Sequence, residues 1–160
     1  MTQESPDLPM VVLFADDDLD DQQMLREAFE AVGKGVILRV VDDGQELVDL
    51  LERPGEGTVV SERLMILLDL NMPRKDGREA LAEIKQNKLL RNIPIVIFTT
   101  SKDSADVDYS YEHGAASYVV KPRQWDDLLG FARNVGDYWF GSNVFAVRPT
   151  RGNERIPGGV

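Results

Sequence analysis

A parallel sheet with helices on both faces is the fold class this chain predicts, on three observations. Five short apolar runs, Val11–Ala15, Val36–Val41, Leu64–Leu68, Ile95–Phe98 and Ser117–Val120, alternate with helical patterns from Met10 to about Trp139. The runs are continuously apolar rather than alternating, as strands buried on both faces require. The links between them are short, and five βα units so linked fold as a doubly wound α/β sheet. The expected architecture is a flavodoxin-like (βα)5 fold with strand order 2-1-3-4-5.

Each element has its own signal. The first strand runs into Asp16-Asp17-Asp18, and Met24, Leu25, Ala28, Phe29 and Val32 then recur at helical spacing until Gly33. After the second strand, Asp42-Asp43-Gly44 turns into a helix carrying Leu47, Leu50 and Leu51. Pro54–Glu62 reads as a loop before the third strand, which ends on Asp69. Asp76-Gly77 opens a helix with Ala80, Leu81 and Ile84. The fourth strand ends on Thr99, and Ser104 is the expected N-cap of a helix with Val107 and Tyr111 that stops before Gly114. The fifth strand ends on Lys121-Pro122, and a last helix from about Trp125 carries Leu128, Leu129, Ala132, Val135 and Trp139.

At 160 residues and 42% hydrophobic content, the chain suits one globular domain. Residues 1–9 read as a flexible N-terminus, 10–141 as the domain, and 142–160 as a partly flexible tail and candidate dimer arm. The absence of cysteine removes disulfide and thiol chemistry and suits a cytoplasmic location. No signal peptide or membrane-spanning run is expected. A net charge of -10 argues against nucleic acid as a ligand.

Function is expected at the carboxyl ends of the strands. In the predicted order, strands 1 and 3 lie side by side at the switch point, where ligands of such sheets bind. Asp16, Asp17 and Asp69 would face one another there, with Thr99 and Lys121 beside them. Clustered carboxylates call for a cation, and Mg²⁺ takes oxygen ligands from one or two carboxylates, water and phosphate. An aspartate can attack phosphorus, and the transferred group needs compensating charge more than acid–base help. Lys121 would meet a phosphoryl oxygen as a point charge and Thr99 would donate its hydroxyl. A cis bond before Pro122 would aim the lysine inward.

Plainer readings exist for each part. Asp16–Asp18 could cap the following helix. A lone threonine or lysine after a strand is ordinarily a solvated residue. His113, the only histidine, reads as a surface residue rather than a ligand. In the last helix, Trp125, Leu129, Ala132 and Gly136 form one stripe and Leu128, Phe131, Val135 and Tyr138 another. Core packing explains one stripe, and the second would cover a partner or the tail.

VLFADDD (Val12–Asp18), LLDLNMPRKDG (Leu67–Gly77), IVIFTTS (Ile95–Ser101) and YVVKP (Tyr118–Pro122) together resemble the receiver domain of bacterial response regulators. The resemblance implies that Asp69 is the phosphoacceptor, that Asp16 and Asp17 are metal acids, and that the Asn71 backbone carbonyl completes the Mg²⁺ shell. It implies Thr99 and Tyr118 as the switch pair, Lys121 as the phosphate-binding lysine, and Asn71 and Ser101 as positions that tune acyl-phosphate hydrolysis. The DDDLDD opening, the Pro54–Glu62 loop, the TTS at Thr99–Ser101 and Tyr138-Trp139-Phe140 are similar to stand-alone regulators paired with phytochrome-type kinases. Asp16 stands where that subgroup often has Glu.

The implied function is that of a single-domain response regulator, not an enzyme in turnover, phosphorylated on Asp69 by a sensor histidine kinase with Mg²⁺. A homodimer is expected through the fourth helix, fifth strand and fifth helix, or through Asn143–Val147. Two rivals remain. Asp16-Asp17-Asp18 also resembles the D-x-D of haloacid-dehalogenase-type phosphatases, with Asp16 as nucleophile and Asp18 as acid. The other rival is a binding module that works without phosphorylation.

Overall fold

The computed structural model describes residues 8–53 and 63–146. The Pro54–Glu62 loop and most of the tail therefore lie outside the described residues. Five parallel strands, β1 (Met10–Ala15), β2 (Ile37–Val41), β3 (Arg63–Leu68), β4 (Ile95–Thr99) and β5 (Ser117–Val120), form one sheet in the order β2-β1-β3-β4-β5. Helices α1 (Leu19–Val32), α2 (Gly44–Glu52), α3 (Gly77–Gln86), α4 (Ser104–Glu112) and α5 (Trp125–Asn134) connect and follow the strands. This is the doubly wound flavodoxin-like fold.

Strand pleating divides the core in two. Val11, Leu13 and Ala15 of β1 face one layer with Leu47, Leu81 and Ile84, from α2 and α3. Val12 and Phe14 face the other, with Leu25, Phe29, Leu128 and Ala132 from α1 and α5. The central strands are buried on both faces, so alternation is absent there. Only the edge strands β2 and β5 are partly open. Phe98 is packed edge-on to Phe14 at 5.8 Å and stacked on Phe131 at 4.8 Å, which ties α5 to the sheet.

Three local expectations differ from the structure. Asp103, not Ser104, caps α4: its side chain accepts from the Ala105 N–H at 3.0 Å. A carboxylate one residue earlier serves the same orphan N–H groups, and the helix then starts at Ser104. The inward aromatic of α4 is Tyr109, which packs against the core, while Tyr111 is exposed. The long last helix is really two segments, α5 and a π-helical stretch over Val135–Ser142. The wider winding closes with Asn143 N–H donating to Tyr138 O at 2.7 Å, and it buries Val135 and Phe140, five residues apart. Each predicted stripe therefore contributes only part of itself to the core, through Leu128, Ala132, Val135 and Gly136, with Trp125 and Tyr138 left exposed.

Candidate functional site

Backbone hydrogen bonds carry the sheet one residue past its strands and so fix the residues that follow. Asp16 N–H donates to Val41 O at 3.1 Å, Asp69 N–H to Ala15 O at 3.0 Å, and Lys121 N–H to Thr99 O at 2.8 Å. The register pairs Ala15 with Leu68 and Thr99 with Val120, which aligns the four strand ends at one edge. Asp16, Asp17, Asp69, Thr99 and Lys121 are thereby brought to one place, as their positions in the sequence predict.

The three aspartates converge. One carboxylate oxygen from each of Asp16, Asp17 and Asp69 lies within 4.8 Å of the others, with Asp16 and Asp69 buried and Asp17 exposed. Asp18 stands apart because its side chain accepts from the N–H groups of Asp20 and Asp21, at 2.9 and 3.0 Å, and caps α1. Capping and clustering are thus divided among neighbouring aspartates. Asp16 also accepts from the Asp18 N–H at 2.9 Å, which orients its carboxylate.

Lys121 supplies the positive charge. Its ammonium donates to Asp16 Oδ2 at 2.6 Å and to Asp21 Oδ2 at 2.7 Å, and it lies 3.6 Å from Asp69 Oδ2. Asp21, in the first turn of α1, is the member of the site that sequence reasoning missed. Its only signal is the second aspartate pair of the DDDLDD run. No cis peptide occurs among the described residues, so the Lys121–Pro122 bond is trans, a correction to the expected cis form. The lysine reaches its carboxylates from the ordinary isomer, which an X-Pro bond prefers by about 0.5–1 kcal/mol.

Crowding in a buried site shifts the acids. Burial raises the Asp16 carboxyl to about 6, against the pull of Lys121 and the Asp18 N–H. Burial also raises Asp69, while Lys121, the Thr99 hydroxyl and the N–H groups of Asn71 and Leu70 draw it back. For Lys121, burial disfavours the ammonium, but the bonds to Asp16 and Asp21 outweigh it and hold the group above the ordinary lysine value. Two buried carboxylates that resist ionisation side by side would be stabilised by a further cation.

The donor chemistry fits a hard divalent metal. All three clustered groups offer oxygen, the chain has no cysteine, and its only histidine lies elsewhere. His113 stacks on Tyr109 at 3.8 Å, with Nδ1 2.9 Å from Tyr109 O, at the end of α4. Beside the carboxylates, Thr99 is fully buried. Tyr118 is half-buried, and its hydroxyl donates to Ser101 O at 2.9 Å. Gly77 brings α3 against the Asp69 loop: its N–H donates to Leu70 O at 2.9 Å, and a Cβ there would lie 2.1 Å from Asp69 O.

Residues 12–133 match the model of the response regulator receiver domain. The chain belongs to the response regulator receiver family. This receiver domain is 37% identical over 131 residues to the response regulator Rcp1 of Synechocystis sp., covering 82% of this chain and 89% of Rcp1. The crystal structure of the Mn(2+)-bound form of Rcp1 superposes with a TM-score of 0.75 at 35% identity, over 86% of this receiver and 99% of that chain. The phosphorylated cyanobacterial phytochrome response regulator RcpA superposes with a TM-score of 0.77 at 31% identity, over 86% and 98%. Among the described residues, no helix of the receiver is long and apolar enough to cross a membrane.

Proposed function

We propose that this receiver takes a phosphoryl group onto Asp69 from the phosphohistidine of a sensor histidine kinase. The observation that carries the reading is the meeting of three carboxylates within 4.8 Å, with a lysine ammonium 3.6 Å from Asp69. An Asp69 carboxylate oxygen forms the new O–P bond as the P–N bond of the donor breaks, and the histidine nitrogen leaves with the electron pair. Asp16, Asp17, Asp69 and the Asn71 backbone carbonyl would hold Mg²⁺. When bound, Mg²⁺ supplies positive charge that offsets the charge of the transferred group.

The chain's own residues do the rest. Lys121 turns from Asp16 towards a phosphoryl oxygen. Thr99 donates its hydroxyl to another, and Tyr118, packed against the core and bonded to Ser101 O, stays inward behind it. The acyl phosphate then shifts a two-state equilibrium that partners read at the surface. The protein acts only on its own aspartate. Similarity to a phytochrome response regulator supports a phytochrome-type kinase as donor.

We also propose a homodimer through α4, β5 and α5 or through the segment from Asn143. Trp125, Tyr138 and Val144, which are 40%, 56% and 81% exposed, support it as apolar surface near the last helix. A monomer by light scattering at high concentration, phosphorylated or not, would remove this part.

Intact-protein mass after incubation with Mg²⁺ and a small acyl-phosphate donor tests the chemistry. One phosphoryl adduct is expected on the wild type and none on Asp69→Asn or without Mg²⁺. An adduct of equal yield on Asp69→Asn would overturn the assignment. Steady release of phosphate through Asp16 would favour the phosphatase instead, although the α1 cap already occupies Asp18, its required acid.

A further inference from the structure

One ion pair, Arg78 with Asp106, joins the first turn of α3 to the first turn of α4, beside the loops that follow Asp69 and Thr99. Arg78 follows Gly77 at the start of α3, and its Nη1 lies 3.5 Å from Leu70 O, beside the phosphoacceptor. Its Nε and Nη2 donate to Asp106 Oδ1 on α4 at 2.9 and 2.6 Å. The other oxygen of Asp106 accepts from Ser101 Oγ at 2.6 Å. Ser101 lies two residues beyond Thr99, and its N–H is 3.5 Å from Thr99 Oγ1. Its carbonyl accepts the Tyr118 hydroxyl at 2.9 Å. A continuous polar path thus runs from the backbone after Asp69 to both Thr99 and Tyr118.

Both oxygens of Asp106 are committed, and its side chain is mostly shielded from water, so these charge-assisted bonds are stronger than exposed ones. Without them, the Ser101 hydroxyl keeps only the longer contact from the Asp103 N–H at 3.2 Å, and the carbonyl that receives Tyr118 is freer to rotate away. We propose that Arg78 and Asp106 are positioning residues that hold Ser101 in place, and so keep Thr99 and Tyr118 in the inward arrangement used for phosphoryl transfer to Asp69. The proposal rests on the reading of Asp69 as phosphoacceptor. A contact made in one arrangement and lost in the other biases the equilibrium by its own strength, so this pair sets how often the site is ready.

The alternative is that the pair merely staples α3 to α4. Asp106→Ala, Arg78→Gln, their double variant and Ser101→Ala separate the two. Three quantities are read on the full chain: the rate of adduct formation from a small acyl-phosphate donor, Mg²⁺ affinity, and the fluorine NMR signal of fluorotyrosine at position 118, assigned with Tyr118→Phe. Each single variant is expected to slow adduct formation about 3- to 10-fold, as loss of one charge-assisted bond to a two-state element implies. The Tyr118 signal should move towards that of an exposed ring, with Mg²⁺ affinity unchanged within about twofold. The double variant should be no slower than the slower single, because both remove one link.

Lowered stability with an unchanged rate and an unchanged Tyr118 signal would leave only a staple and overturn the proposal. If Asp106→Ala fails to fold, Ser101→Ala, which keeps the ion pair, carries the same expectation and the same refutation. If the wild type takes no phosphoryl group, the reading of Asp69 fails. The Tyr118 signal still decides the link: movement in Ser101→Ala supports it, and a fixed signal refutes it.

Discussion

The Lys121 ammonium is bonded to Asp16 at 2.6 Å and stands off from Asp69 at 3.6 Å. The lysine therefore neutralises Asp16 and Asp21, and under the proposed function it would leave at least one of them to follow a phosphoryl group on Asp69. That trade of partners would couple metal binding to phosphoryl transfer. A metal ion among the carboxylates would add a second positive charge beside the ammonium, weaken its hold on Asp16 and free it to move.

Lys121→Ala should separate these two effects. Adduct formation should fall by about 100-fold, the order of effect of removing one preorganised donor from a developing charge. Mg²⁺ affinity should hold or rise, because a competing cation is gone. The metal-free protein should lose about 1–3 kcal/mol, since the buried Asp16 loses its partner, and Mg²⁺ should restore part of that. Denaturant unfolding with and without Mg²⁺, beside intact mass, reads all three. An unchanged adduct rate would show that the lysine plays no part in transfer.

The site also sets a pH dependence. Burial raises Asp16 to about 6 from an ordinary 3.8, so between those values the folded chain holds a proton that the unfolded chain has released. The metal-free protein therefore loses stability as pH rises through that window, and the loss is complete above it. Mg²⁺ binds the ionised form, so its affinity rises over the same range. The increase in unfolding midpoint given by Mg²⁺ should be larger at pH 7.5 than at pH 5. Equal increases at the two pH values would show that no site carboxylate titrates there.

How far the sequence discloses this molecule depends on the range of the interactions involved. Apolar runs ending in Asp16, Asp69, Thr99 and Lys121 disclose both fold and site, because in a parallel sheet consecutive strand ends share one edge by construction. Closely competing local choices are less legible. Asp18 rather than Asp16 takes the cap of α1, and Asp103 rather than Ser104 takes that of α4, because neighbouring oxygens of similar chemistry compete for the same free N–H groups. Periodicity counted at 3.6 residues per turn carries α5 on past Val135, where the chain winds more widely. The pairs Lys121–Asp21 and Arg78–Asp106 join residues 100 and 28 apart in the chain, and they depend on rotamers that no local pattern encodes.

Arg74 is the only non-glycine residue with positive φ among the described residues, at 62°. Its guanidinium holds that turn by donating to both oxygens of Asp43, at 2.8 and 3.1 Å, while Asp43 caps α2 through the Glu46 N–H. Replacing the side chain removes the fork, and only glycine then tolerates the angle without strain. Arg74→Gly should therefore melt above Arg74→Ala, by about 3 °C for a chain of this size. Calorimetry of the two variants checks it. A reversed order would mean that the turn relaxes out of the left-handed region once the fork is gone.

Gly77 offers the sharpest test of how the fold holds Asp69, the proposed phosphoacceptor. A Cβ there would lie 2.1 Å from Asp69 O and 2.7 Å from Leu70 Cα, and these are backbone atoms that cannot swing aside. Gly77→Ala should cost about 1–3 kcal/mol of stability, as overpacking does. It should also slow adduct formation at least about 10-fold by displacing the Asp69 carboxylate from its aligned position. Gly130→Ala is the matched control, because a Cβ there meets nothing within 4 Å and removes a helical glycine, for a gain of about 0.5–1 kcal/mol. If the two variants unfolded alike and took phosphate at the same rate, close approach of α3 could not be what fixes Asp69.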